Sequence, residues 1–152
     1  MGPEIARLLA GLAWHMTPQE LAARTAWGEA RGEGVVGMHA ILNVIAHRVA
    51  KPGWWGRDIE SVCASPRQFS CWNKTDPNCA KAEAVTDEDP LFRSALTLAD
   101  RMVAGDLPDI TNGADSYFAL GIPLPRWAAG RKPVKVIGHH AFYRLGLNGT
   151  GT

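Results

Sequence analysis

The sequence predicts a mainly α protein with a small β-hairpin, an α+β arrangement held in one domain spanning residues 1–152. Three observations predict it. Two helix starts are well capped, at Thr17-Pro18-Gln19-Glu20 and at Asp89-Pro90. A run of helix length from Val35 to Ala50 is apolar over most of its circumference. After Pro108 the character changes to short runs punctuated by Gly, Pro and Asn. The length of 152 residues suits a single domain, and 46% hydrophobic with 20% charged residues excludes a disordered segment.

Taken in order, residues 1–16 read as a short amphipathic helix with Ile5, Leu8, Leu9 and Leu12 on one face. Its apolar stretch, Leu8–Trp14, is far shorter than the ~20 residues that cross a bilayer, and no small-residue cleavage site follows it. Synthesis in the cytoplasm without a signal peptide, and no stable membrane insertion, are therefore expected. The first confident helix should run from about Pro18 to Glu33 and end near Gly32 and Gly34. The second, Val35 to Ala50, should be central, with His39, Asn43 and His47 forming one polar stripe and Lys51-Pro52-Gly53 stopping it. Trp54 to Ser65 should hold a short helix opened by Asp58. Residues Pro66 to Glu83 show little periodicity and read as a long irregular loop. Leu91 to Ala104 is a helix closed by Gly105. Ser116–Leu120, Val134–Ile137 and His140–Arg144 suggest a hairpin or ribbon, and the Gly- and Thr-rich tail from Leu145 should fray.

Charge and cysteine usage exclude several classes. Sixteen Lys and Arg against fifteen Asp and Glu leave +1, so no nucleic-acid partner is expected. Three cysteines, Cys63, Cys71 and Cys79, fit a reducing compartment, with one bridge between two of them left open. Their spacing is too wide for a zinc site, and no metal or other cofactor is expected. A nucleophile elbow, a His-Glu-x-x-His zinc spacing and a strand-borne phosphate loop are all missing.

The chemistry that remains centres on Trp27-Gly28-Glu29-Ala30-Arg31-Gly32-Glu33-Gly34. Helix interiors avoid glycine, which costs about 1 kcal/mol against alanine, yet glycines cluster here. Thr25, Ala26, Gly32 and Glu33 surround Glu29 on its face, leaving room for a ligand beside a carboxylate. In a partly dry setting such a carboxyl keeps its proton and acts as an acid. Glu29 and Glu33, four apart, approach each other if the helix continues, and paired carboxylates are the working parts of glycoside hydrolysis. The same residues also fit a solvated helix end. Trp54, Trp55, Phe69, Trp72, Tyr117, Phe118 and Trp127 fall outside the confident helices, where rings either stack on sugars or fill a small core.

The segment from Leu21 to Glu33, then Gly37 and the apolar helix to His47-Arg48-Val49, resembles the opening of the SleB/CwlJ-type cell wall hydrolase family. Gln68-Phe69-Ser70-Cys71 matches the family's next landmark. Tyr117, Pro125 with Trp127, and Ile137-Gly138-His139-His140-Ala141-Phe142-Tyr143 match its closing pattern, so the likeness spans about residues 20–144 in order. The resemblance implies a lysozyme-like, lytic-transglycosylase-related fold that cuts the β-1,4 bond after N-acetylmuramic acid in peptidoglycan. It implies that Glu29 is the general acid, with Glu33 a supporting catalytic carboxylate. Gln68, Phe69, Tyr117, Trp127, His140 and Tyr143 become candidates for lining the glycan cleft. The chain departs from the family pattern at Asp115-Ser116, which replaces a Thr-His pair, and at His47 and His139, each in place of Asn. A monomeric phage-type endolysin, reaching the periplasmic wall after release, is the implied biology. A non-catalytic wall-binding or virion structural module, and peptide-bond cleavage in the wall, are the competing readings.

Overall fold

The computed structural model describes residues 16–65 and 68–146. The expected helix over residues 1–16 lies outside them, apart from Met16. Among the described residues, five α-helices precede a three-stranded sheet: α1 (Pro18–Ala30), α2 (Gly34–Ala50), α3 (Ile59–Ala64), α4 (Pro77–Ala84), α5 (Pro90–Ala104), β1 (Ser116–Ala119), β2 (Lys135–Ile137) and β3 (His140–Tyr143). The protein is mostly helical with a small antiparallel sheet.

Local chemistry sets the helix starts. Thr17 Oγ1 accepts from the Glu20 N–H at 3.1 Å and Pro18 occupies the first turn of α1. Asp58 and Ser61 form a reciprocal capping box on α3, and Asp89 accepts from the Phe92 N–H to open α5. Gly105, at φ +78°, closes α5 in the left-handed region. Helix α2 is the central element, with Met38, Ala40, Ile41, Leu42, Val44 and Ile45 at zero exposure. It packs on α1 and α5, which also pack on each other.

The polar stripe on α2 is a set of anchors. The ring N–H groups of His39 and His47 donate to Pro108 O (2.7 Å) and Ala114 O (2.6 Å). Asn43 donates to Pro108 O and accepts from the Ile110 N–H. These bonds fix the connector from α5 to the sheet. His47 therefore makes here a backbone contact that suits its ring.

Residues 66–83 differ from the expected loop. They contain a 3₁₀ turn, Ser70–Trp72, and α4, which Asp76 caps and Pro77 begins. The far end of α4 has no glycine. Instead Arg24 Nη1, from α1, donates to the carbonyls of Ala82 (2.9 Å), Glu83 (3.1 Å) and Val85 (2.7 Å).

The sheet has order β1-β3-β2, both pairings antiparallel, so it is a hairpin with a third strand added on the outside of β3. Alternation gives it two different faces. Tyr117, His140 and Phe142 share the face turned to the helices, with ring contacts of 5.3 to 6.2 Å. Phe118, Trp127 and Tyr143 stack on the opposite face. The expected fraying at Leu145 is not found: Asp115 accepts from the N–H groups of Leu145 and Gly146, each at 2.9 Å, and Leu145 is buried. Residues 147–152 lie outside the described residues. All three cysteines are free thiols.

Candidate active site

Glu29 sits one residue before the end of α1, on the face crossed by the Ser70–Trp72 turn. Two features press that turn onto the helix. Trp72 Nε1 donates to Thr25 Oγ1 at 2.9 Å inside the core, while Thr25 itself donates back to Leu21 O. Gly28 makes the close approach possible: a Cβ there would stand 2.8 Å from the Cys71 Cβ and 2.9 Å from its sulfur. The motif glycine at 28 is thus a packing requirement and creates no open space itself. Gly32 has nothing within 4 Å of an added Cβ and does border open space.

So placed, the Glu29 carboxylate accepts from Ser70 Oγ at 3.3 Å and from the Cys71 N–H at 3.4 Å. Both contacts are long. Burial dominates and pushes the carboxyl up to about 7, the two donors pulling it down and the Asp76 charge adding a push upward. The side chain is partly buried and does not stand in bulk solvent. A carboxyl in this state holds its proton near neutrality and is matched to proton donation.

Beneath it lies a buried cation that the motif reading did not single out. Arg48 on α2 is 3% exposed, with its guanidinium 5.1 Å from the Phe69 ring centroid and 5.4 Å from that of Trp55. Its Nε donates to Asp115 O at 2.7 Å, and its Nη1 has no hydrogen-bond partner. Desolvation lowers it to about 10, opposed by Tyr117, Asp115, Cys63 and Glu29. Tyr117 lies in the same field; burial first, then the Glu29 charge, holds its hydroxyl well above the usual phenol range.

Glu33 behaves differently. Helix α1 ends at Ala30, whose φ of −140° leaves helical space, and a 3₁₀ turn follows. The continuous helix that would bring Glu33 beside Glu29 is therefore absent. Glu33 Oε1 accepts from the His139 N–H at 2.5 Å, and Oε2 lies 2.7 Å from His140 Nδ1. Gly37 and Gly138 leave room for this carboxylate; a Cβ at either would stand 2.7 Å from the Glu33 Cβ or 3.0 Å from its carboxyl carbon. Because the contact at 139 is through the main chain, the histidine there is not needed for it. His140, gripped by Glu33, presses edge-on against Tyr117 with 5.3 Å between ring centroids.

The other expected cleft residues divide. Gln68 is half-buried, two positions before Ser70. Phe69 is 1% exposed, so its ring supports Arg48 and, at 6.4 Å, Tyr117, and is out of reach of a ligand. Trp127 and Tyr143 pack on the sheet face away from Tyr117 and His140, because strand alternation puts them there. Of the loop tryptophans, Trp55 and Trp72 are core, while Trp54 is exposed. Ser70, Cys71, Asp76 and Arg48 were missed as partners of the acid. The sequence signals for Arg48 were its place in the His47-Arg48-Val49 stretch of the family pattern and its being the one Lys or Arg in α2. Among the described residues no group of three or more His, Cys, Asp or Glu is placed to hold a metal ion.

Residues 32–143 match the family described as Cell Wall Hydrolase. The chain belongs to the cell wall hydrolase family. The matched stretch begins three residues after Glu29 and includes Glu33, Arg48, the 3₁₀ turn and the whole sheet. Two solved structures are similar over 82% of this chain: the catalytic domain of the Bacillus cereus SleB protein (26% identity, TM-score 0.66, 88% of that chain) and the catalytic domain of the germination-specific lytic transglycosylase SleB from Bacillus anthracis (25% identity, TM-score 0.63, 92% of that chain). No curated protein sequence matches. The fold is that of the SleB catalytic domain, as the resemblance implied, and membership of the family makes the chain a cell wall lytic enzyme. No helix among the described residues is long and apolar enough to cross a membrane.

Proposed function

We propose that this hydrolase cleaves the β-1,4 bond between N-acetylmuramic acid and N-acetylglucosamine, with Glu29 as general acid. The observation that carries the reading is the partly dry Glu29 carboxyl, held near pH 7 by burial at the end of α1. Protonated Glu29 gives its proton to the glycosidic oxygen. The bond from that oxygen to C1 of the muramic sugar breaks, and positive charge spreads over C1 and the ring oxygen. The C6 hydroxyl of the same sugar then attacks C1 and returns its proton to the Glu29 carboxylate, leaving a 1,6-anhydro end. Attack by water in place of that hydroxyl gives a reducing end. The intramolecular route is favoured because both oxygens of Glu33 are engaged by the hairpin, which leaves that carboxylate unsuited to activating water.

In this reading Glu33 is a positioning residue. It holds the β2–β3 turn and, through His140, the Tyr117 ring beside the acid. Tyr117, Gln68 and His140 border the glycan site. Trp127 and Tyr143 stiffen the sheet from its far side, and Phe69 supports from below. The domain works as one unit and as a monomer.

Mass spectrometry of soluble fragments from purified walls tests the reading. Muropeptides with 1,6-anhydro muramic ends are expected, and none with Glu29→Gln. Free peptides without glycan cleavage would establish peptide-bond hydrolysis, and wall pull-down without any fragments would establish a binding module. The phage-type endolysin role is tested separately, by lysis on co-expression with a membrane-pore protein.

A further inference from the structure

We propose that the outer face of the three-stranded sheet, together with the loop beside it, is a docking surface for anionic lipid bilayers. This surface stands apart from the acid and needs no part of the catalytic reading. Its first support is a segregation that the net charge of +1 conceals. All fifteen Asp and Glu residues lie at or before Asp115. Residues 116–152 hold five cations, Arg126, Arg131, Lys132, Lys135 and Arg144, and no acid. The preceding 115 residues therefore carry eleven cations against fifteen acids, a balance of −4. Residues 116–152 are therefore a basic stretch, which the overall count hides.

The second support is apolar exposure in the same stretch. Leu120, Ile122, Leu124 and Val136 are 45%, 54%, 58% and 52% exposed. The register settles which way two of them face. Val136 pairs with Ala141, which also pairs with Phe118, so it shares the Phe118 face. Continuing the alternation of β1 past Ala119, whose neighbour Leu120 bonds to His139 O, puts Leu120 there too. That is the face opposite Tyr117 and His140. Leu120 and Val136 therefore do not line the glycan site.

Third, the platform is built to hold them out. Ala128, Ala141, Tyr143 and Leu145 form a small buried cluster with Phe118 and Trp127 packed on it. Pro123, Pro125 and Pro133 and the 3₁₀ turn Arg126–Ala128 restrict the loop. Exposed aliphatics beside exposed Arg126 and Lys132 of the adjoining loop match a surface that offers both negative headgroups and an acyl boundary. A hydrated polyanion such as a nucleic acid rewards the cations alone. The rings there are also engaged with one another, Phe118 stacked on Tyr143 and Trp127 edge-on to both, which leaves no set of free faces for successive bases. The acidic remainder of the chain is repelled by the same surface, which orients the molecule with this face toward the lipid.

Sedimentation of the full chain with phosphatidylcholine vesicles, with and without phosphatidylglycerol, is the test. Binding is expected only with phosphatidylglycerol and is lost at high salt. Arg126→Glu with Lys132→Glu should weaken it at least ~20-fold. Ile122→Ser with Leu124→Ser should weaken it roughly tenfold without changing its salt dependence. Both double variants should keep wild-type activity on purified, lipid-free walls, which reports that they fold and separates this proposal from the catalytic one. Equal binding to both vesicle types, no binding to either, or charge-reversed protein that binds like wild type overturns the proposal. So does a salt-sensitive dimer, or a complex with duplex DNA, formed where vesicles are ignored; either would reassign the face to that partner.

Discussion

Glu29 and Glu33 are the same residue type four positions apart, and the fold gives them different surroundings. Glu33 has both oxygens committed to the hairpin at 2.5 and 2.7 Å. Glu29 is served by two long contacts at 3.3 and 3.4 Å, and burial pushes its carboxyl up to about 7. A carboxylate with good donors is a structural tie, whereas one with poor donors keeps its proton and has something to give. What separates them is the break in the helix after Ala30, which turns the second glutamate away from the first.

The contrast breaks most visibly at Glu29 itself. Glu29→Gln should lower wall-lytic kcat/KM by at least ~10² with the fold intact, as measured by release of soluble fragments. The alkaline limb of wild-type activity should fall as pH rises through about 7, since only the protonated acid is competent. The same substitution should stabilise the protein. The folded carboxyl titrates above its unfolded value of 4.5, so folding takes up a proton between these limits and stability falls as pH rises from 4.5 to 7. Glu29→Gln removes that loss, worth ~2–3 kcal/mol at pH 8 and nothing at pH 4, readable as a Tm difference that grows with pH.

Glu33 should answer in the reverse sense. Glu33→Ala leaves the His139 N–H and the His140 ring without their acceptor and should cost about 2 kcal/mol of stability by denaturant titration. Activity should fall with it because Tyr117 loses its support, and Glu33→Gln, which keeps one acceptor, should recover part of both. A Glu33→Ala protein as stable as wild type would erase the distinction between the two glutamates.

Gly28→Ala tests how tightly the 3₁₀ turn is pressed onto the acid. Its Cβ would meet Cys71 at 2.8 Å, and we expect a loss of roughly 1–2 kcal/mol by denaturant titration. The smallest effect sharpens the account of Glu29. Removing the buried cation with Arg48→Met should raise the proton affinity of the acid and move the alkaline limb upward by about half a pH unit, while Arg48→Lys leaves it in place. An equal shift in both variants would remove the cation from the account.

Much of this was legible in the sequence because the signals are local. Thr17, Asp58, Asp89 and Gly105 each act within one helical turn of where they stand, and the helix ends they set lie where expected, whereas α1 stops at Ala30, short of the expected Glu33. Glu29, the acid we propose, was singled out through its motif. Its surroundings were not, since Ser70, Cys71 and Arg48 reach it through tertiary packing that no spacing encodes. Helix α4 is an instructive miss. Asp76-Pro77 carries the same start signal as Asp89-Pro90. The segment lacks a glycine stop and has little apolar periodicity, so the signal stood alone.

The reach of Arg24 across to the carbonyls of Ala82, Glu83 and Val85 supplies what that stop would have. A helix terminated by a residue 58 to 61 positions upstream owns only half of its boundary conditions. Its eight residues are too few to persist alone in water. They acquire helical structure when α1 arrives, and should be the first to surrender it when that partner withdraws.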